Sequence, residues 1–595
     1  MPVYKAPVKD TLFLLEAVLE VDSHAGLPGF AEAPAETRRA IVEGAAGFAE
    51  EVLAPLNLPG DVEGCTREAD GSVRTPKGFA EAYDKFVEAG WGTLTAPVAY
   101  GGQGLPHVLG TAIEEYFSAA NMAFAMYPGL AQGAQAAIAA VGSEAQKALW
   151  LPPMVAGRWT GTMNLTEPHC GTDLGLIRTR AAKQADGSYK VSGTKIFISA
   201  GEHDLAENIV HLVLAKTEGA PDNVKGISLL LVPKYLVDEQ GALGARNVVS
   251  CGSLEHKMGI HGNATCVMNY DGATGYLLGE EMKGLTAMFI MMNAARLGVG
   301  VQGLAQAEVA RQNALAYARE RRQGRALSGP VEPEEKADPI VVHADVRRML
   351  MDARAFTEGA RALALWGALQ VDLSHKAQDE AAREAADDLI GLLTPVIKGF
   401  LTDKGFETAV NCQQVFGGHG YVREWGMEQF VRDARIAQIY EGTNGIQAMD
   451  LVGRKLAKNG GRALRLWMGQ VKAGLAAAGD ARLAGLVQAL GRGLGDLEAA
   501  TLWLMQNAMA KPDHAGAGAT AYLHLMGHVA LGHMWLRMAQ ASVAALVVGD
   551  DTDFHEEKLV LARHFAARWL PETAVLRARL EAGSDTVMAL PADRL

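Results

Sequence analysis

The sequence has little of what marks a secreted, membrane-spanning or nucleic-acid-binding chain. Its five cysteines (Cys65, Cys170, Cys251, Cys266, Cys412) are scattered and odd in number. None has the short paired spacing of a zinc site, so free thiols and no metal are expected. No uninterrupted apolar run approaches the roughly 18 residues of a membrane span. The opening residues, Met1-Pro2-Val3-Tyr4-Lys5, lack an apolar stretch of the secretory kind, so the expectation is a cytoplasmic protein. Basic residues are outnumbered, 55 against 68 acidic, and the net charge of −13 argues against nucleic acid as a main partner. No fixed-period repeat is visible.

What is present is length and apolar content. The chain has 595 residues and is 49% hydrophobic, too long for one core, so several domains are expected. Residues 1–35 form a lead-in, with Asp10 to Val21 reading as one helix. From 36 to 158 the apolar period is near 3.6, as in Arg38 to Val52 and Thr111 to Tyr127, so this stretch is predicted helical. Between 159 and 282 the pattern turns to strands at Lys190 to Ala200, Ile209 to Lys216 and Gly226 to Val232, with Asp186-Gly187 as a hairpin turn. Residues 283–458 are helical again, beginning with a long pattern from Gly284 to Arg322. Residues 459–595 add Ala/Leu-rich helices broken at Asn459-Gly460-Gly461, Lys511-Pro512-Asp513 and Gly549-Asp550-Asp551.

The most informative stretch is Ile439-Tyr440-Glu441-Gly442-Thr443-Asn444-Gly445-Ile446-Gln447. It sets one carboxylate at the mouth of a loop, before a glycine that lets a ligand approach the backbone. Thr443 and Asn444 offer a hydroxyl and an amide, and a helical pattern resumes at Ile446. Held between apolar walls, Glu441 would have the raised proton affinity that a carbon-acid base requires. A solvated turn glutamate would give the same five letters, so the rest of the chain must decide.

Four segments do so. They are Met163-Asn164-Leu165-Thr166-Glu167-Pro168-His169-Cys170-Gly171-Thr172-Asp173; Lys195-Ile196-Phe197-Ile198-Ser199; Arg296-Leu297-Gly298 with Glu320-Arg321; and Gln414-Val415-Phe416-Gly417-Gly418-His419-Gly420-Tyr421 leading to the Glu441 loop. In this order and spacing they resemble the acyl-CoA dehydrogenase family across roughly residues 36–455. The resemblance implies an α+β fold: an N-terminal helical domain, a central β-barrel or sandwich domain, a C-terminal helical bundle and here an extra C-terminal helical domain. It implies FAD, an acyl-CoA substrate, an electron-transfer flavoprotein as partner, and a homodimer of the kind formed by long bacterial members. By resemblance Met163, Leu165, Thr166, Gly171, Thr172, Phe197, Ser199, Arg321, Gln414, Gly417, Gly418 and Thr443 hold FAD. Thr172, Arg296, Tyr440 and Gly442 meet the substrate, and Glu441 is the base. Gln414, Gly417 and Arg321 would reach the FAD of a neighbouring subunit.

These residue types suit a flavin physically. A planar ring with hydrogen-bonding edges needs hydroxyls, backbone amides and a flat apolar cover, and Gly417-Gly418 would let N–H groups approach a pyrophosphate. Three positions depart from the family pattern: Phe197 replaces the usual tryptophan, Arg321-Arg322-Gln323-Gly324 is one residue short of R-x-x-F-G and lacks its phenylalanine, and Gly445 replaces a common glutamine. The adenine end of the cofactor is therefore expected to be held differently. The alternative position for a base, just before Arg296, is Ala295. His524, His528 and His533 lie on an apolar helix without the glutamate of a zinc motif and read as packed or surface residues. Met122, Phe124, Met126 and Tyr127 read as core, and Glu332–Lys336 as a solvated loop. Two rival readings share the fold, an oxidase or monooxygenase using O₂ and a non-catalytic flavin- or CoA-binding scaffold.

Overall fold

Period-two alternation with apolar residues on both faces makes a strand that must be covered on both sides. Asn208–Thr217 and Ile227–Pro233 have this pattern, and every one of their residues is buried. The computed structural model describes residues 2–595. By contacts the chain forms two compact units: residues 47–106 with 116–298, and residues 1–46, 107–115 and 299–595.

In the first of these units lies a seven-stranded sheet: β1 (Trp159–Asn164), β2 (Arg180–Lys183), β3 (Tyr189–Ser199), β4 (Asn208–Thr217), β5 (Ile227–Pro233), β6 (Val249–Leu254) and β7 (Thr265–Leu277). The order is β6-β7-β3-β2-β4-β1, and β5 pairs with both β7 and β4, so five strands close on themselves. That closure resolves the expected barrel or sandwich in favour of a barrel-like ring. One face gathers Val191, Ile198, Val213, Leu230, Met268 and Tyr270. The other gathers Leu212, Leu214, Leu229 and Leu231 against Ile138, Trp150 and Met154 of the flanking helices. The β2–β3 hairpin turns at Gly187, whose φ is 86°.

Helices fall close to where the periodicity places them, with local breaks. The first helix runs Val8–Phe13 and continues as a wide π turn through Val18; it does not reach Val21, because Glu20 adopts a left-handed φ of 49°. The Arg38 pattern is Ala35–Phe48 followed by a π turn at Ala49–Leu53. The Thr111–Tyr127 pattern is part of His107–Val141, interrupted at Asn121 (φ −160°). There the Asn121 side chain accepts the Phe124 N–H at 3.1 Å, a cap inside what reads as one apolar stripe. Met122, Phe124, Met126 and Tyr127 are core, as expected.

In the second unit, Ala344–Lys376 and Glu380–Val415 form the long helical pair. The predicted breaks separate Arg462–Ala477, Ala484–Asn507, Pro512–Val548 and Thr552–Arg568. Two helices, Gly284–Glu320 and Pro512–Val548, are long and apolar enough on average to cross a membrane, although neither is an uninterrupted apolar run. Scattered Gly, Gln and His break the runs without lowering the mean much. About half of each apolar window (56% and 50%) is buried in the packing, as core helices are.

Beneath the second unit's helices sits a fully buried guanidinium. Arg361 donates to Glu115 at 2.6–3.0 Å, pairs with Glu308 at 3.3 Å and bonds Asp10. Lys558 bonds Asp10 and, at 2.7 Å, Glu358, while Arg311 holds Glu308 and Arg354 holds Glu358. Four carboxylates thus face four cations. Burial opposes the charge on Asp10, but Lys558 and Arg361 hold its carboxyl below the usual range. The stability this confers is present at neutral pH and is lost as pH falls through the depressed value. Arg361→Met should cost about 3–5 kcal/mol at neutral pH, because it strands buried carboxylates. In acid, where those carboxylates protonate, the penalty should shrink; denaturant midpoints at both pH values check this.

Candidate active site

In the barrel-like unit, β1 delivers Met163 and then the turn that holds Leu165, Thr166, Gly171 and Thr172. Glu167 and Cys170 pair backbone to backbone at 2.9 and 3.0 Å, which makes the turn tight. Lys195 of β3, fully buried, donates to the Leu165 carbonyl at 3.0 Å and to Glu167 Oε1 at 2.9 Å. Glu167 also accepts from Arg178 N, Thr179 N and Thr179 Oγ1 at 2.6–3.1 Å. Burial raises the cost of that carboxylate, yet Lys195 and these donors hold its pKa below the usual range. Neither Lys195 nor Glu167 stood out in the sequence as a clamp. A signal was available for Lys195, a lysine at an inward position of the alternating Tyr189–Ser199 strand; Glu167, in a turn, had none.

The Thr166 carbonyl accepts Ile196 N at 2.9 Å, so Thr166 and β3 lie side by side. Phe197 follows at once with a left-handed φ of 58° and 60% of its surface exposed. A bulky residue in that region is strained, and such strain collects at ligand sites. The hydroxyls of Thr166 and Ser199 take no hydrogen-bond partner among the described residues. Hydroxyls and an exposed aromatic ring are groups of the kind a flavin ring needs. Glu167, His169 and Cys170 come within 4.8 Å of one another, a grouping the linear spacing did not suggest. Both Glu167 oxygens are already hydrogen-bonded. Arg296 is 8% exposed on the Gly284–Glu320 helix.

The helical unit carries the other predicted residues. Met427–Ala437 ends at Gln438, and the chain turns through Ile439–Thr443 into Asn444–Asp450, two residues earlier than the sequence pattern suggests. Thr443 caps that helix by accepting Ile446 N at 3.4 Å. Glu441 has φ 58° and Gly442 φ 87°, two left-handed residues in succession. Such a turn is cheap at Gly442 and strained at Glu441. The strain is held by neighbours: Gln447 Nε2 donates to the carbonyls of Glu441 (3.1 Å) and Gly442 (3.3 Å). Lys398, fully buried, donates to Gly442 O at 2.7 Å and Asn444 Oδ1 at 2.8 Å. The Tyr440 hydroxyl donates to Gln302, so this predicted substrate contact already serves to fix the loop.

Arg321 ends the Gly284–Glu320 helix, and Gln414, Gly417 and Gly418 end Glu380–Val415; all four are exposed. Tyr317 stacks on Phe416 (4.2 Å, 17°), and its hydroxyl lies 2.8 Å from His419 Nδ1, which fastens the two helix ends together. Gly417 has φ 58° with open space where a side chain would stand. The Arg321 and Gln414 side chains take no partner among the described residues, so cations, amides and open backbone face outward here. The shortened segment after Arg321 is organised by Asp338, which accepts Ala326, Val331 and Glu332 N–H groups at 3.0–3.1 Å.

Comparison with known proteins agrees with this order of parts. Family models match in sequence: acyl-CoA dehydrogenase N-terminal domain over residues 35–158, middle domain over 162–273, and C-terminal domain over 282–456. A fourth, described as acetyl-CoA dehydrogenase C-terminal like, matches 467–591. The chain is 44% identical over 587 residues to 3-methylmercaptopropionyl-CoA dehydrogenase of Ruegeria pomeroyi, covering 98% of this chain and 99% of that one. The chain belongs to the acyl-CoA dehydrogenase family.

Another family member, the broad-specificity linear acyl-CoA dehydrogenase FadE5 of Mycobacterium tuberculosis, is 35% identical over 609 residues and covers 99% of each chain. An acyl-CoA dehydrogenase from Bacillus anthracis, solved in complex with FAD, shares the fold at a TM-score of 0.76 and 22% identity, over 95% of this chain and 90% of that one. In this chain the tight Glu167–Cys170 turn follows directly on β1. Lys195→Met should open that turn: with Glu167 left uncompensated, amide exchange across residues 165–179 is expected to quicken by roughly tenfold or more. Hydrogen exchange read by mass spectrometry checks it, and unchanged protection would show that Lys195 is not the clamp.

Proposed function

We propose that this acyl-CoA dehydrogenase removes the α-proton and β-hydride of an acyl-CoA thioester to give the trans-2-enoyl-CoA, with Glu441 as the base and FAD as cofactor. The observation that carries the reading is the conformation of Glu441. It is a non-glycine residue in left-handed backbone, with the carbonyls of Glu441 and Gly442 held by Gln447 and Lys398. A solvated turn residue would have no need of that restraint. FAD, when held by the residues named next, would supply the acceptor for the hydride.

The chain's own residues do the rest. Met163, Leu165, Thr166, Gly171, Thr172, Phe197 and Ser199 bind and cover the flavin ring, while Arg321, Gln414, Gly417 and Gly418 offer donors to the pyrophosphate of a neighbouring subunit's cofactor, which makes the enzyme a homodimer. Thr443, the cap of the Asn444–Asp450 helix, is a further cofactor contact in this reading. Glu441 holds the abstracted proton, and its backbone N–H stabilises the thioester oxygen where charge develops. Arg296, Thr172, Tyr440 and Gly442 orient the substrate. Electrons pass to an electron-transfer flavoprotein, and the enzyme works in the cytoplasm. The substrate is 3-methylmercaptopropionyl-CoA or a medium- to long-chain acyl-CoA; the name of the Ruegeria relative supports the first, and that of the Mycobacterium relative supports a linear acyl-CoA without fixing its length.

Glu441→Gln keeps size and hydrogen bonding but cannot take the proton. FAD should stay bound while anaerobic bleaching by acyl-CoA slows by roughly 100-fold or more. Bleaching at more than about a tenth of the wild-type rate would exclude Glu441 as the base.

A further inference from the structure

The C-terminal helical region carries no catalytic signature in its sequence, yet it meets the support of the Glu441 loop. The Pro512–Val548 helix packs on Glu380–Val415, where Phe400 takes the ring edges of His524 (5.5 Å, 80°) and His528 (5.0 Å, 70°). His524 Nε2 lies 2.8 Å from Asp403 Oδ2. The other oxygen of that carboxylate, Oδ1, accepts Gln438 Nε2 at 2.7 Å and Asn444 Nδ2 at 2.6 Å.

Gln438 and Asn444 are the two ends of the loop that carries Glu441, and Asn444 N also donates to Gln438 O at 3.1 Å. One carboxylate therefore pins both ends. From Asn444 the path continues through Lys398 to the Gly442 carbonyl, at 2.8 and 2.7 Å. A carboxylate can rotate about its last bond. With Oδ2 held by an imidazole N–H, the plane of the group is set, and Oδ1 stays where both amides reach it. Without that donor the carboxylate keeps only the two amides on Oδ1; Asn444 Nδ2 retains Gly399 O (3.1 Å) and Thr402 Oγ1 (2.9 Å), so the Gln438 end is the one that loosens first.

We propose that the C-terminal helical region is a working part of the active site. In it His524 is a positioning residue: it orients Asp403 and through it both ends of the loop bearing Glu441. The inference rests on Glu441 being the base. It gives the tail a role beyond covering surface, and it accounts for a histidine aimed at a carboxylate on an otherwise apolar helix.

The test uses the full-length holoenzyme with His524→Phe, which keeps a ring against Phe400 but has no N–H. His524→Leu serves as a second variant, and His533→Leu as a comparator, buried on the same helix with no link to Asp403. For His524→Phe, kcat should fall about tenfold with a smaller rise in KM, because the displaced loop carries Tyr440 and Gly442 as well as Glu441. Amide exchange across residues 438–447 should quicken by a similar factor. His524→Gln, whose amide can donate to Asp403, should recover most of both, and His533→Leu should leave both within about twofold of wild type. Should His524→Phe fail to fold, His524→Leu against His524→Gln gives the same reading. Wild-type turnover and exchange in His524→Phe, or equal losses in His533→Leu, would overturn the inference. An inactive Glu441→Gln beside a wild-type-like His524→Phe would leave the base standing and sink only the positioning role. An active Glu441→Gln would remove the base, and the exchange measurement would still decide whether His524 holds the loop.

Discussion

A charge taken out of water must be met by an opposite charge or by several hydrogen bonds, and Arg361 makes that requirement the organising constraint of the helical unit. Its guanidinium can be buried only if Asp10, Glu115 and Glu308 come to it from three separate stretches of chain. Lys558 then brings the C-terminal region to the same place through Asp10 and Glu358. A hydrophobic core fixes which faces meet but tolerates sliding. A bidentate guanidinium does not, because its fork fits a carboxylate in one geometry. The lead-in, the bundle and the tail are registered by one network, and it contributes specificity more securely than it contributes net stability.

The same logic recurs at smaller scale wherever backbone must be held in an unfavourable shape. Lys195 and Lys398 are both fully buried, and both spend their donors on a main-chain carbonyl and a side chain next to a strained or tight turn. A lysine suits this task better than arginine. Its compact ammonium has three rotatable donors, so it can bond a carbonyl and a side chain that lie in different planes. The left-handed conformations of Glu441 and Phe197 cost roughly 1–3 kcal/mol each, and only an over-determined surrounding keeps them.

Much of this was legible in the sequence, and the exceptions have physical reasons. The succession of helices, strands and helices follows from a change of apolar period, and the breaks near 460, 512 and 550 from Gly, Pro and Asp. The Glu441 loop stood out because glycine and a helix cap leave letters of their own. What remained hidden were partnerships made at a distance. Nothing near Lys398 says that it will meet Gly442, 44 residues on, and nothing near Asp10 points to Lys558. The Asn121 break was invisible for the opposite reason: its neighbours Ala119, Ala120, Met122 and Ala123 continue the apolar stripe on both sides. Averaged hydropathy likewise separates poorly a buried helix from a membrane helix, since both exclude water.

His524, His528 and His533 were read as packed or surface groups, and packed they are; burial lowers the pKa of His528 and brings that of His533 to about 4. Packing and function are not alternatives, however, when a side chain has a polar tip. On an apolar helix, a histidine costs stability unless its ring nitrogens find partners; the Nδ1 atoms of His528 and His533 are buried without a hydrogen bond among the described residues, and His524 is the exception. For His524 the partner is Asp403, whose other oxygen holds both ends of the Glu441 loop. At His524, following the polar tip outward through Asp403 leads from the C-terminal helices to the loop that carries Glu441.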